Sequence, residues 1–308
     1  MIPFLPSPRI DLTDFDRGVF LFTQLIINSI IAGAIYTLLA LGFTIIYGTL
    51  NFFNMAHGIA YTLGAYFSYL FRIKFGFDLP LAFSLSTLLT ALAMIGVDRI
   101  AYFNLRIRKA PSWALVVSSI GVAIFLESFI SLIFGSDTRS LRTGQAAPGY
   151  TVFGAIITPV QIWMLIISAL LMIVLTIYLK MTIMGKALRA TSNDPEMSSI
   201  VGINTESIYK STFALGSALA AIAGSLVALE TDVFPTMGHS ALLKSIVASI
   251  IGGIGNIPGA VLGSFFLGFA ENFGIWKLSA SWKDGIALIL LIFFILLRPA
   301  LFGKESQK

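Results

Sequence analysis

Long apolar runs alternate with short polar breaks over almost the whole chain. The runs fall at about 19–47, 55–71, 79–101, 111–134, 158–180, 207–230, 240–254, 259–275 and 284–299. A helix needs about 20 apolar residues to cross the hydrocarbon core, whereas a barrel would show short alternating segments. The pattern therefore predicts an all-α, polytopic transmembrane helical bundle of about nine spans, with eight or ten also compatible. Two runs are short, 240–254 and 259–275, and "GGIGNIPGA" joins them. Fifteen residues reach only about 22 Å at a helical rise of about 1.5 Å per residue. These two read as discontinuous or tilted partial helices, a form that often lines a transport pathway.

Composition supports this class. Hydrophobic residues make up 57% of the 308 and charged residues only 11%, against roughly 25% charged in a soluble domain. Mean hydropathy is +0.90. The chain has no cysteine, which excludes a disulfide framework and a thiolate metal site. The net charge of +5 reads as loop charge of a membrane protein and not as a nucleic-acid surface.

Loop charges set the expected topology. Arg106, Arg108 and Lys109 sit in one short loop, and Lys180, Lys186 and Arg189 in another, with Arg298, Lys304 and Lys308 at the C-terminus. The positive-inside rule then puts the N-terminus outside and the C-terminus in the cytoplasm. Acidic Asp11, Asp14 and Asp16 fit the outer side, while Arg72, Lys74, Arg139, Arg142, Lys277 and Lys283 run against the trend. The expected organisation is a periplasmic leader (1–18), one membrane domain (19–299) with its largest inner loop at 181–206, and a cytoplasmic tail (300–308). The leader holds three prolines and three aspartates and no basic start, so it does not read as a signal peptide.

Polar positions within the spans are the candidate chemistry. Asn54, His57, Tyr61, Gly64 and Ser68 recur at steps of three and four, which puts them on one helix face. Two roles fit such a stripe: the lining of a substrate route, or a helix–helix seam packed by small residues. Ser245, Ser249, Gly252 and Asn256 repeat the spacing, with the same two roles open. Glu127 and Lys244 lie inside spans, where a lipid-facing charge is costly, so each is expected to be paired, wet or near an interface. The only two histidines, His57 and His239, sit in "MAHG" and "MGHS", each downstream of an "ALG". This is a weak internal echo of the kind transporter repeats leave.

The inner loop carries helix punctuation. In "MGKALRATSNDPEMSSIVGIN", Asn193 or Asp194 caps a short helix, Pro195 suits its first turn and Glu196 suits its positive end. Gly202 ends it. Lys186 and Arg189 are solvent-facing cations upstream. Such a helix is either a docking element for a soluble partner or an ordinary connection. No Gly-x-x-x-x-Gly-Lys-Ser/Thr phosphate loop occurs, so this chain does not hydrolyse ATP by that machinery.

With these residues in view, the chain resembles the permease subunits of the branched-chain amino-acid ABC importers. The resemblance rests on "GAIYTLLALGFTIIYGTLNFFNMAHGIAYTLGAY" (33–66), "GKALRATSNDPEMSSIVGIN" (185–204) and "FALGSALAAIAGSLVAL" (213–229). It continues through "FPTMGHSALLKSIVASIIGGIGNIPGAVLGSFFLGFAE" (234–271) and "KDGIALILLIFFILLRP" (283–299). It implies a multi-pass protein of the bacterial inner membrane that is a transporter subunit and not an enzyme. It implies two cytoplasmic ATPases that use ATP and Mg, a second, related permease and a periplasmic binding protein; this chain itself needs no cofactor. It also implies that Gly185 to Gly202 is the segment that rests on an ATPase. The substrate it implies is a branched-chain or other neutral amino acid, with urea or short amides as alternatives within the family. Outside the family the rival readings are an ion-coupled secondary transporter, for which Glu127, Lys244 and the histidines speak, and an intramembrane enzyme. The latter lacks a nucleophile–base pair and any metal-ligand spacing.

Overall fold

The computed structural model describes residues 14–142, 149–152 and 154–302. Most of the expected leader, with Asp11, and the end of the expected tail lie outside the described residues.

Every apolar run forms a helix. The order is α1 (Asp14–Leu50), α2 (His57–Tyr69), α3 (Leu79–Val97), α4 (Phe103–Ile107), α5 (Ser112–Phe134), α6 (Pro159–Met181), α7 (Ile183–Asn193), α8 (Pro195–Ile200), α9 (Thr205–Glu230), α10 (Met237–Gly252), α11 (Ile257–Gly274) and α12 (Lys283–Phe302). A wider turn at Leu70–Lys74 extends α2, and another at Asp98–Tyr102 carries α3 into α4. A small hairpin, β1 (Tyr150–Val152) with β2 (Ala155–Ile157), precedes α6. Gln24 clamps it to α1 by donating to Ile156 O (3.1 Å) and accepting from Ile156 N (2.8 Å).

Five helical stretches are long and apolar enough to cross a membrane: Phe20–Leu50, Leu79–Ile107, Ser112–Phe134, Pro159–Met181 and Thr205–Glu230. Met237–Gly252 and Ile257–Gly274 qualify only as a pair bent by 118°. By this measure the described residues hold five or six spans. The expected count of nine would need α2 and α12 and separate crossings by α10 and α11. The break between those two falls where the sequence places it. Gly253 (φ 90°) and Gly255 (φ 84°) occupy the left-handed region that glycine enters without penalty, and Asn256 caps α11 through Gly259 N at 3.3 Å.

The core is built around α1 and α9. Helix α2 packs on α9 as α10 packs on α1, and α3 packs on α9 as α11 packs on α1. The faint sequence echo thus has a counterpart in packing. In both halves a long helix is followed by a broken stretch (51–56 and 231–236) and then by a helix that starts at or beside the histidine motif. Where α1 and α9 cross, a Cβ on Gly42 would lie 2.6 Å from Gly216 O, and one on Gly216 2.8 Å from Gly42 O. Only glycine permits that approach, and the "ALG" repeats supply it on both sides.

Helices α5, α6 and α12 turn large side chains outward: Val117, Ile124, Phe125 and Leu132, then Ile166, Leu170 and Ile173, then Ile289, Ile292 and Leu296. Continuous apolar exposure of this extent is unsuited to water and suited to lipid or to a partner helix.

Candidate functional site

Polar side chains gather in three places. The first is the seam between α1, α2, α9 and α10. His57 is fully buried, and its Nε2 donates to Leu39 O on α1 at 3.1 Å. On the neutral ring Nδ1 is then the lone-pair nitrogen, and it has no hydrogen-bond partner among the described residues. Asn54 Oδ1 accepts from Ala56 N and from Tyr102 OH, both at 3.1 Å, which holds the broken stretch before α2. Tyr61 is buried where α2 meets Gly224 of α9. Two hydroxyl pairs close the seam: Ser68 donates to Ser225 (2.8 Å) and Thr44 donates to Ser249 (3.0 Å). Ser245 and Ser249 also bond back into α10, to Leu242 O and Ser245 O at 2.7 Å each. Of the two roles open to the polar stripe, its geometry here is that of a seam.

The second place lies one to two turns along α10 from Met237. Lys244 Nζ donates to Tyr36 OH (3.1 Å) and pairs with Glu271 (3.5 Å) and Asp284 (3.4 Å). Tyr36 OH in turn donates to Glu271 Oε2 at 2.6 Å, and Ser240 donates to Asp284 at 2.9 Å. One lysine thus ties α10 to α1, α11 and α12. Glu271 is fully buried, a position that only paired carboxylates tolerate. Nearby, His239 Nε2 donates to Glu127 at 2.6 Å. The His239 side chain is 62% exposed. That is unusual for a polar group on a membrane helix and fits a wet route or a second polypeptide over this face.

The third place is the opposite end of the bundle. Asp98, fully buried in the turn after α3, accepts both terminal nitrogens of Arg106. Arg106 also forks to Glu206 in the first turn of α9 (2.9 Å) and stacks over Tyr209. The loop from Gly185 to Gly202 lies at this end and forms two helices, where the sequence suggested one. Thr182 caps α7 through Gly185 N (2.9 Å), and Asp194 caps α8 through Met197 N (2.9 Å), with Pro195 at its first position and Glu196 in its first turn. Gly202, at φ 88°, ends α8. Ser192 bonds to Gly48 O and so pins α7 to the end of α1. Lys186 and Arg189 are exposed, and both line a cavity of about 870 Å³ between α1, α6, α7 and α11.

Residues 25–295 match the family described as the permease component of the branched-chain amino acid transport system. The high-affinity branched-chain amino acid transport system permease LivH of Escherichia coli K12 is 35% identical, over 90% of this chain and 94% of its own. BraD of Pseudomonas aeruginosa, described in the same words, is 35% identical over 91% and 95%. Among solved structures, PsaBC from Streptococcus pneumoniae in complex with Fab aligns at a TM-score of 0.48 and 15% identity, over 89% and 91% of the two chains. The chain belongs to the branched-chain amino acid permease family. It is therefore a multi-pass membrane transport subunit and not an enzyme.

Within this permease the site residues read from sequence divide cleanly. Asn54, His57, Tyr61, Ser245 and Ser249 belong to the seam. Glu127 with His239, and Lys244, form the charged pairs. Gly185, Lys186, Arg189, Asp194, Pro195, Glu196 and Gly202 form the loop. Sequence reasoning missed Glu271, Tyr36, Asp98 and Glu206 as partners. Glu271 and Asp98 were detectable as acids inside or beside apolar runs, the signal already used for Glu127. For the seam, the expected result is that His57→Leu costs about 1 kcal/mol, one net hydrogen bond, with uptake within about twofold of wild type. Thermal melting of the purified protein and uptake by intact cells check it; a stable variant with lost uptake would move His57 from the seam to the path.

Proposed function

We propose that this permease forms part of an ATP-driven importer for branched-chain or other neutral amino acids in the bacterial inner membrane. The observation that carries the reading is the 35% identity with LivH along 90% of the chain. The N-terminus faces the periplasm and the C-terminus the cytoplasm. A periplasmic binding protein delivers substrate, two cytoplasmic ATPases supply the energy, and a second, related permease completes the path. The organisation into leader, membrane domain and tail follows from the same reading.

The loop supports the coupling role. Helix α8 is short but capped at its start and stopped at its end, and Met197, Ile200 and Val201 stand 55%, 76% and 67% exposed on and just after it. Three large apolar side chains on one polar loop suit a protein surface better than water. On this reading Gly185, Lys186, Arg189, Asp194, Pro195, Glu196 and Gly202 shape and dock the coupling element. Lys244, Glu127 and His239 are the polar groups nearest the substrate route, with Asn54, His57, Tyr61, Ser245 and Ser249 packed behind it.

The test is leucine uptake by proteoliposomes holding this chain with its ATPases and second permease. Uptake is expected only with internal ATP and external binding protein. Uptake driven by a proton or sodium gradient without ATP would overturn the reading in favour of secondary transport. Uptake of urea or short amides but not leucine would keep the importer and change its substrate.

A further inference from the structure

The cavity at the α7 end joins two surfaces of opposite character. Its rim carries the exposed Lys180, Lys186 and Arg189, and no acidic residue lines it among the described residues. Among the described residues none of these three cations is in a salt bridge. The neutral polar groups beside them are largely committed: Ser192 donates to Gly48 O, and Asn256 caps α11. The rest of the lining is largely apolar, with Leu179 beside Lys180 and with Ile257, Pro258 and Val261 on α11. Thr176 and Leu262 line it too and are exposed, Leu262 by 72%. At a rise of about 1.5 Å per residue, Thr176 lies about 6 Å along α6 from Lys180, and Leu262 about 7.5 Å along α11 from its first residue. Positive charge at one level and apolar wall at the next is the layout of an amphiphile, head at the surface and chains within.

We propose that this cavity binds one anionic phospholipid, its phosphate against Lys180, Lys186 and Arg189 and its acyl chains along α6 and α11. Basic pockets between membrane helices on the cytoplasmic side hold such headgroups. The proposal rests on reading the α7 end as cytoplasmic. A soluble anion would satisfy the cations but leave the apolar wall bare, and on the proposed coupling role an ATPase would meet the exposed Met197, Ile200 and Val201, not a crevice between helices. Because the cavity runs from α1 to α7, the bound lipid props the loop against the bundle, and transport coupling becomes dependent on anionic lipid.

The experiment uses the assembled importer, purified from membranes containing phosphatidylglycerol and assayed by native mass spectrometry. Wild type is expected to retain phosphatidylglycerol at about one per permease, and phosphatidylcholine not at all. Each cation near an anionic lipid surface contributes enough for about a fivefold change, so Lys180→Gln with Lys186→Gln and Arg189→Gln weakens retention on the order of 100-fold. Leu262→Trp, which crowds the chain wall from the lipid side without touching charge, should also lower retention and guards against misfolding of the triple variant. Retention unchanged from wild type in both variants, or none in wild type, overturns the proposal, the latter meaning that a partner subunit fills the cavity. Displacement by millimolar inorganic phosphate overturns it in favour of a soluble anion. Orientation is read separately: the chain has no cysteine, so Lys180→Cys is a unique thiol, expected to react with an impermeant maleimide only from the inner side. Labelling from outside would sink the orientation and leave the lipid result standing.

Discussion

Arg106→Leu is expected to destabilise the bundle by about 3–5 kcal/mol, the largest effect of any single side chain at the α7 end. Asp98 has no exposed surface, and Arg106 meets both of its oxygens. Leucine would fill much of the volume but leave a carboxylate buried without a counter-charge. The same substitution frees Glu206, and with it the tie between the α3–α4 stretch and the start of α9. Arg106→Lys should fall in between, because an ammonium is a point charge and cannot reproduce the planar fork to two carboxylates. Pairing Asp98→Leu with Arg106→Leu should recover much of the loss, since removing both charges also removes the desolvation penalty. Melting of wild type, Asp98→Leu, Arg106→Leu and the double variant in one detergent completes the cycle. A loss below about 1 kcal/mol for Arg106→Leu, the range of surface pairs, would mean that water reaches Asp98.

This pair also marks where sequence stopped being readable. Each predicted span coincides with a helix, because burial in lipid leaves the backbone no other partner than itself. The α10–α11 break was legible from glycines and length, and the α8 cap from Asp194–Pro195. Pairing was not. Lys244 signalled a need for a partner, but Tyr36, 208 positions away, gives no local sign of being one. Asp98 stands near the end of an apolar run with Arg99, Arg106, Arg108 and Lys109 close behind it, a pattern that does not separate a buried acid from an interfacial one. Only the turn at Asp98–Tyr102, which carries the helix on to Arg106, buries it. The polar stripe on α2 shows the same limit. Period and residue type fix the face, but a seam and a pathway both need small and hydroxyl-bearing residues there. What separates them is whether another backbone fills the space, as Gly224 and Ala221 of α9 do against Tyr61 and Gly64.

The loop proposed to couple transport to the ATPases carries the second large effect. Asp194→Ala with Pro195→Gly is expected to reduce ATP-coupled uptake by more than about tenfold while the membrane bundle melts as wild type. The cap is worth about 1 kcal/mol, and replacing a proline that fits its site by glycine returns up to about 1 kcal/mol of backbone freedom to the open state. A loss of about 2 kcal/mol is roughly a thirtyfold shift, and a helix of six residues has little intrinsic stability to resist it. Helix α8 then frays, Met197 and Ile200 lose their common orientation, and, on the proposed coupling role, closure of the ATPases is no longer passed to the α1 end through α7. The bundle is spared because, of the α8 residues, only Ser198 is buried. Uptake and ATPase activity measured on the same proteoliposomes separate the outcomes. Continued hydrolysis without uptake is the expected uncoupled state. Normal uptake would reduce residues 185–202 to a plain connection, and parallel loss of uptake and of bundle stability would place the effect in folding instead.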